Sequence, residues 1–157
     1  AAIRQARWWR KPPAMPASSP SYLADTNVYV MAINDPAVRQ RFEAFVQRHG
    51  PLLVSAIVAA EVLIGIPDVA RHEAAVQALG AGSSIIAPSA DDWRRAAAAV
   101  ARLGGGAVTQ SRSFWNDALL AAQCARLGVT LLTHNAADFR RLGRHLGVRT
   151  VAPFPTR

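Results

Sequence analysis

The chain has 157 residues, 51% of them hydrophobic, and a formal net charge of +8 from 18 Lys+Arg against 10 Asp+Glu. This length suits one compact domain, and no apolar run approaches the roughly 18 to 20 residues of a membrane span, so no membrane partner is expected. The single cysteine, Cys124, excludes an internal disulfide and fits a reducing cytoplasm, and all but one of the cations are arginine, which suits bidentate contact with phosphate.

Residues 1–20 carry Arg4, Arg7, Arg10 and Lys11, half of the net charge, with two tryptophans and several prolines but without the apolar core of a secretory signal. They are expected to form a basic, Pro-rich, disordered extension. It could be a basic arm on nucleic acid, a segment upstream of a start at Met15, or an inert addition, and the last two outweigh the first. Residues 21–157 are expected to form a single domain.

Tyr22-Leu23-Ala24 reads as a short strand that stops at Asp25-Thr26-Asn27, where a turn or helix begins. Asn34-Asp35-Pro36 signals a helix start, and Val38, Phe42, Phe45 and Val46 recur at helical spacing up to Gly50. Pro51 to Val54 reads as a second strand, and Ser55 can cap a helix through Glu61, its only charge, to Gly65. A helix over Val69 to Leu79 and a strand near Ile85-Ile86 follow.

Ser89-Ala90-Asp91-Asp92 opens a further helix running to Leu103 in a capping-box-like way. The Gly104-Gly105-Gly106 run after it lacks the lysine and hydroxyl of a phosphate loop, so it is read as a plain loop. A helix from Ser113 to Gly128 carries Asp117, Leu120, Cys124 and Leu127 on one broad face. Val129 to Leu132 is a strand, polar residues gather at Thr133 to Asp138, and Val148 to Val151 is the last strand. The expected class is α/β: a three-layer α/β/α arrangement with a short parallel sheet of about four to five strands flanked by helices, in which sites lie beyond the C-terminal strand ends.

Carboxylates inside apolar helices need a partner or a metal in place of water. Alone, Glu61 could pair with an arginine, Asp117 could complement a helix dipole, and Asp25 could be an N-cap. Together with Asn135 or Asp138 after the late strand they can converge on one hard-cation site, and oxygen ligands favour Mg²⁺, with Mn²⁺ as a substitute, over zinc. The four histidines show no zinc spacing; His134, near the site, reads as a loop or substrate-side residue. A serine-hydrolase elbow is absent, and a phosphoryl-accepting domain would need a lysine near Asp25, whereas the one lysine is Lys11.

Four blocks in order, Leu23-Ala24-Asp25-Thr26-Asn27-Val28, Ser55 to Gly65 around Glu61, Asn116 to Ala122 around Asp117, and Leu132 to Phe139, resemble the PIN-domain family, specifically its VapC-type toxins. The resemblance covers roughly Ser21 to Pro153. It implies a PIN-like nuclease domain in which Asp25, Glu61 and Asp117 bind metal. Many relatives have an aspartate two residues after the threonine, where this chain has Asn135, so the fourth acidic position is divided between Asn135 and Asp138. Thr133 matches the hydroxyl near the site, where it would orient a carboxylate or water.

The implied reaction is Mg²⁺-dependent endonucleolytic hydrolysis of RNA phosphodiesters, with Glu61 as ligand or base. Arg112 and Arg140 are candidates to hold flanking phosphates. The resemblance further implies a homodimer, a small antitoxin partner and cytoplasmic action; the alternative is a non-catalytic nucleic-acid-binding or regulatory PIN-like domain. Phe42 and Phe45 could serve an interface, although core burial is their default explanation.

Overall fold

The computed structural model describes residues 22–80, 85–105 and 112–153, with side chains for all but Gly80 and Arg112. The basic segment 1–20 and Gly106 lie outside the described residues. Strand β1 (Tyr22–Ala24) leads into α1 (Thr26–Asn34) and α2 (Pro36–His49), followed by β2 (Val54–Ser55) and α3 (Ala56–Ile64). A 3₁₀ turn (Val69–Arg71) precedes α4 (His72–Gly80), β3 (Ile85–Ile86) and α5 (Ala90–Arg102). The chain closes with α6 (Arg112–Leu127), β4 (Thr130–Leu132), α7 (Ala136–Leu146) and β5 (Arg149–Val151).

All strand pairings are parallel. One sheet has the order β1-β4-β5 and a second pairs β2 with β3, and a single bridge between Leu23 and Leu53 joins them. The five strands therefore form one short sheet in the order β3-β2-β1-β4-β5, within the expected three-layer α/β/α arrangement. Helices α1 to α4 pack among themselves, and α5, α6 and α7 form a second packed set. Among the described residues, no helix is long and apolar enough to cross a membrane.

The helix boundaries follow from local chemistry. The Asp35 carboxylate accepts from the backbone of Ala37 (2.8 Å) and Val38 (3.3 Å), and Pro36 occupies the first turn, where no intrahelical N–H is needed. Arg39 of α2 donates to the carbonyls of Ala32 (3.1 Å) and Ile33 (2.8 Å), covering the open end of α1. Ser89 and Asp92 complete a reciprocal capping box at the start of α5. Gly147, at φ 73°, ends α7 in a left-handed conformation that costs a side-chain-bearing residue about 1–2 kcal/mol.

The core is aliphatic and runs through α6, whose residues Ala118 to Cys124 are all buried. The Cys124 thiol, pushed up to about 12 by burial, is an inert core group. Phe42 is buried and Phe45 packs against the core, so both are core residues. Helices α5 and α6 are pinned by a bidentate contact: Arg126 Nε lies 2.9 Å from both oxygens of the fully buried Asp92. Burial alone would raise the Asp92 pKa, but the bonds from Arg126 and Ser89 outweigh it and hold the carboxyl below its ordinary value.

Candidate active site

The sheet register assembles the first half of the site. Because β1 and β4 run parallel with Ala24 opposite Leu132, the next residues, Asp25 and Thr133, fall side by side beyond the strand ends. The Thr133 hydroxyl donates to Asp25 Oδ2 at 2.8 Å, and Asn27 Nδ2 donates to the same oxygen at 2.7 Å. Asp25 Oδ1 accepts from the Thr26 backbone at 2.7 Å, so Asp25 is at once the N-cap of α1 and a member of the acidic group.

Glu61 approaches from α3. One of its oxygens accepts from the Thr26 hydroxyl and the other from Asn116 Nδ2 at 2.7 Å. No arginine pairs with it among the described residues, so its aliphatic surroundings are not relieved by a salt bridge. Asp117 enters from α6. Its Oδ2 accepts from Asn135 Nδ2 at 3.2 Å, and the same amide group donates to Asp138 Oδ2 at 3.0 Å. Asn135 is thus a neutral bridge between two carboxylates, and it also caps α7.

Negative charge is in excess here. Asp25 is 6% and Asp117 8% exposed. Burial, then the negative charges of Asp25, Asp138 and Glu61, push the Asp117 carboxyl up to about 7, against one lowering bond from Asn135. Burial also raises the Asp25 pKa. Bonds from Thr133, the Thr26 backbone and Asn27 oppose it, and the Glu61 charge adds to it. Four carboxylates from four separate elements therefore feel one another's charge, the electrostatic condition that a hard divalent cation relieves.

Among the described residues, no three His, Cys, Asp or Glu side chains form a set that could close on a metal ion as they stand. Asn27, Asn116, Asn135, Thr26 and Thr133 occupy the carboxylate oxygens with their own donors. The donors are all oxygen and the excess charge is negative, so the group fits Mg²⁺ or Mn²⁺ in chemistry, through the carboxylate lone pairs that those amides and hydroxyls leave free.

The sequence-derived residues are distributed as follows. Asp25, Glu61, Asp117, Asp138, Thr133 and Asn135 all meet at this one place. Arg140 is exposed on α7, two residues past Asp138, and the Arg112 side chain lies outside the described residues. Sequence reasoning passed over four contributors: Thr26, Asn27 and Asn116, which aim the carboxylates, and Arg141, whose Nη1 stands 3.5 Å from Asp138 Oδ1. Polarity in the Asp25-Thr26-Asn27 run and the position of Asn116 next to Asp117 were the available signals for the first three.

No curated protein matches the chain by sequence. Solved structures match it in fold at 18–23% identity. A chain of VapBC-1 from nontypeable Haemophilus influenzae has a TM-score of 0.65 at 19% identity, covering 84% of this chain and 97% of its own. A chain of a toxin–antitoxin complex from Klebsiella pneumoniae has a TM-score of 0.62 at 23% identity, covering 87% and 100%. One of VapBC2 from Rickettsia felis, solved with a DNA fragment from its promoter, gives 0.61 at 21%, covering 83% and 97%. The family model for the PIN domain matches residues 22–145, which span every element that builds the acidic group, and the chain belongs to the PIN-domain family.

Proposed function

We propose that the protein is a Mg²⁺-dependent endoribonuclease and the toxin of a toxin–antitoxin pair, acting in the cytoplasm as a homodimer restrained by a small antitoxin protein. The observation that carries the nuclease reading is the convergence of Asp25, Glu61, Asp117 and Asp138 from separate elements, with Asp117 pushed up to about 7 by burial and by the other three. The toxin reading draws on the fold likeness to chains from toxin–antitoxin complexes. Exposed Val30 and Met31 on α1 and Ile64 at the end of α3 offer apolar surface for a partner.

In this mechanism Asp25 and Asp117 would hold the cation, which when bound would lower the pKa of water and offset charge on the phosphate. Thr133 and Asn27 fix the Asp25 carboxylate, and Asn135 fixes Asp117. Glu61, which accepts from Thr26 and Asn116, takes the proton of the attacking water in this reading. The phosphodiester P–O bond breaks as the water oxygen bonds to phosphorus, and the leaving oxygen is protonated from solvent.

The test is cleavage of single-stranded RNA by the full chain with Mg²⁺, with excess EDTA, and with Asp117→Asn. Cleavage that EDTA abolishes and Mg²⁺ or Mn²⁺ restores, and that Asp117→Asn lacks while remaining folded, supports the proposal. Cleavage persisting in chelator contradicts it. Asn135, standing where an aspartate is expected from the resemblance, favours the second reading of a non-catalytic nucleic-acid-binding or regulatory domain, which predicts RNA binding without cleavage in the same assay.

A further inference from the structure

Four carboxylates repel a polyanion, so a strand laid over this site needs a cation at its rim. Arg141 has the right placement. It follows Asp138 by one turn of α7, and its guanidinium carbon lies 5.1 Å from the ring centroid of Phe114. Phe114 is buried and precedes Asp117 by one turn of α6, so it shares that helix's site-facing side. The Asp138 contact, 3.5 Å between half-exposed side chains, contributes little to stability and uses only Nη1. Among the described residues, Nε and Nη2 have no protein partner.

We infer that Arg141 grips a backbone phosphate of single-stranded RNA next to the bond that is cut, with Phe114 as the shelf that holds its guanidinium flat. This rests on the nuclease reading and deepens it. The planar fork matches a phosphodiester's two free oxygens, and a buried ring under one face limits the rotamers that must be lost on binding. Arg141 acts as a positioning residue; it touches substrate backbone and reads no base.

The experiment measures binding of a fluorescent 2′-O-methyl RNA oligonucleotide, which resists cleavage, to the full chain in EDTA across a salt series. Arg141→Gln is expected to weaken binding several-fold and to flatten the slope of log K against log salt by about 0.7, the effect of one lost single-strand phosphate contact. Arg141→Lys keeps the slope but loses part of the affinity, and Phe114→Leu behaves like Arg141→Lys. Arg48→Gln on α2, a helix that contributes nothing to the acidic group, removes the same charge and leaves the slope unchanged. In cleavage assays Arg141→Gln raises KM with little change in kcat.

Wild-type slope and affinity in Arg141→Gln, equal losses in Arg141→Gln and Arg48→Gln, or no RNA binding by the wild type overturns the inference. An Arg141-dependent slope without any cleavage supports the phosphate grip and defeats the nuclease reading. Cleavage with a slope indifferent to Arg141 does the reverse.

Discussion

Asp117→Asn is predicted to make the metal-free protein more stable at pH 8 while abolishing cleavage. The folded-state pKa of Asp117 is raised, from 3.8 to about 7. Between those values the folded chain holds a proton that the unfolded chain has released, so stability falls as pH rises through the window and is flat above it. The shift of about three units, at about 1.4 kcal/mol each, sets a ceiling of about 4 kcal/mol. Side-chain adjustment and counter-ions relieve part of the repulsion, leaving about 2 kcal/mol, or about 4–8 °C in Tm for a chain of this size.

Asn keeps the volume, and its amide oxygen can still accept the bond from Asn135, so the gain isolates the charge. Asp25, also raised, adds a change of the same sign. Asp92, whose pKa is lowered, gives its stabilisation above 3.8 and loses it only below that value, outside the window. Urea unfolding in EDTA at pH 4.5 and pH 8 is the assay: the mutant's advantage should be full at pH 8 and less than half as large at pH 4.5. Saturating Mg²⁺ should erase it, since a ligand at 100 times its Kd stabilises the wild type by about 2.7 kcal/mol. A wild type equally stable at both pH values in EDTA, or a mutant less stable at pH 8, would refute the reasoning.

Three other outcomes are expected. Glu61→Gln should lower kcat by about 10²–10⁴ with KM little changed, as loss of a general base does; steady-state RNA cleavage checks it. Thr133→Val removes the hydroxyl that fixes Asp25 at nearly constant volume, so the Mg²⁺ concentration for half-maximal cleavage should rise about 10–100-fold. Arg126→Met strands the buried Asp92 carboxylate and should cost about 3–5 kcal/mol in urea unfolding without changing which metal supports cleavage.

Local signals decided which parts of the fold were legible. Asp35-Pro36, Ser55 and Ser89 with Asp92 each start a helix where their side-chain chemistry requires it, because a cap is satisfied within a few residues. The segment expected as one helix from Val69 instead opens with a 3₁₀ turn capped by Asp68 before α4 begins at His72. The union of the two sheet pieces rests on one bridge, Leu23 with Leu53, between residues far apart in sequence, and no local pattern announces it.

Glu61 and Asp117 were legible because a carboxylate in an apolar helix is costly wherever it sits. Their orienting partners were not, because a threonine or asparagine is unremarkable until the fold shows what it faces. Asp25 carried two readings, cap and site acid, and they are compatible because the structure engages its oxygens separately, Oδ1 with the Thr26 backbone and Oδ2 with Thr133. Sequence alone does not tell Arg140 from Arg141, since two adjacent arginines in one helix differ only in the direction that the helix gives them; the structure places Arg141 beside Asp138 and Phe114. Asn135 gains meaning from its two carboxylate contacts, which no spacing rule supplies.

The central claim is that these carboxylates hold a divalent cation. The most direct test is Mn²⁺ titration of the full chain followed by electron paramagnetic resonance, with Mg²⁺ as competitor and Asp117→Asn as control. The account predicts loss of the free-ion signal on adding wild-type protein, its return with excess Mg²⁺, and no loss with Asp117→Asn. A free-ion signal unchanged by the wild type, or diminished equally by the mutant, would contradict it.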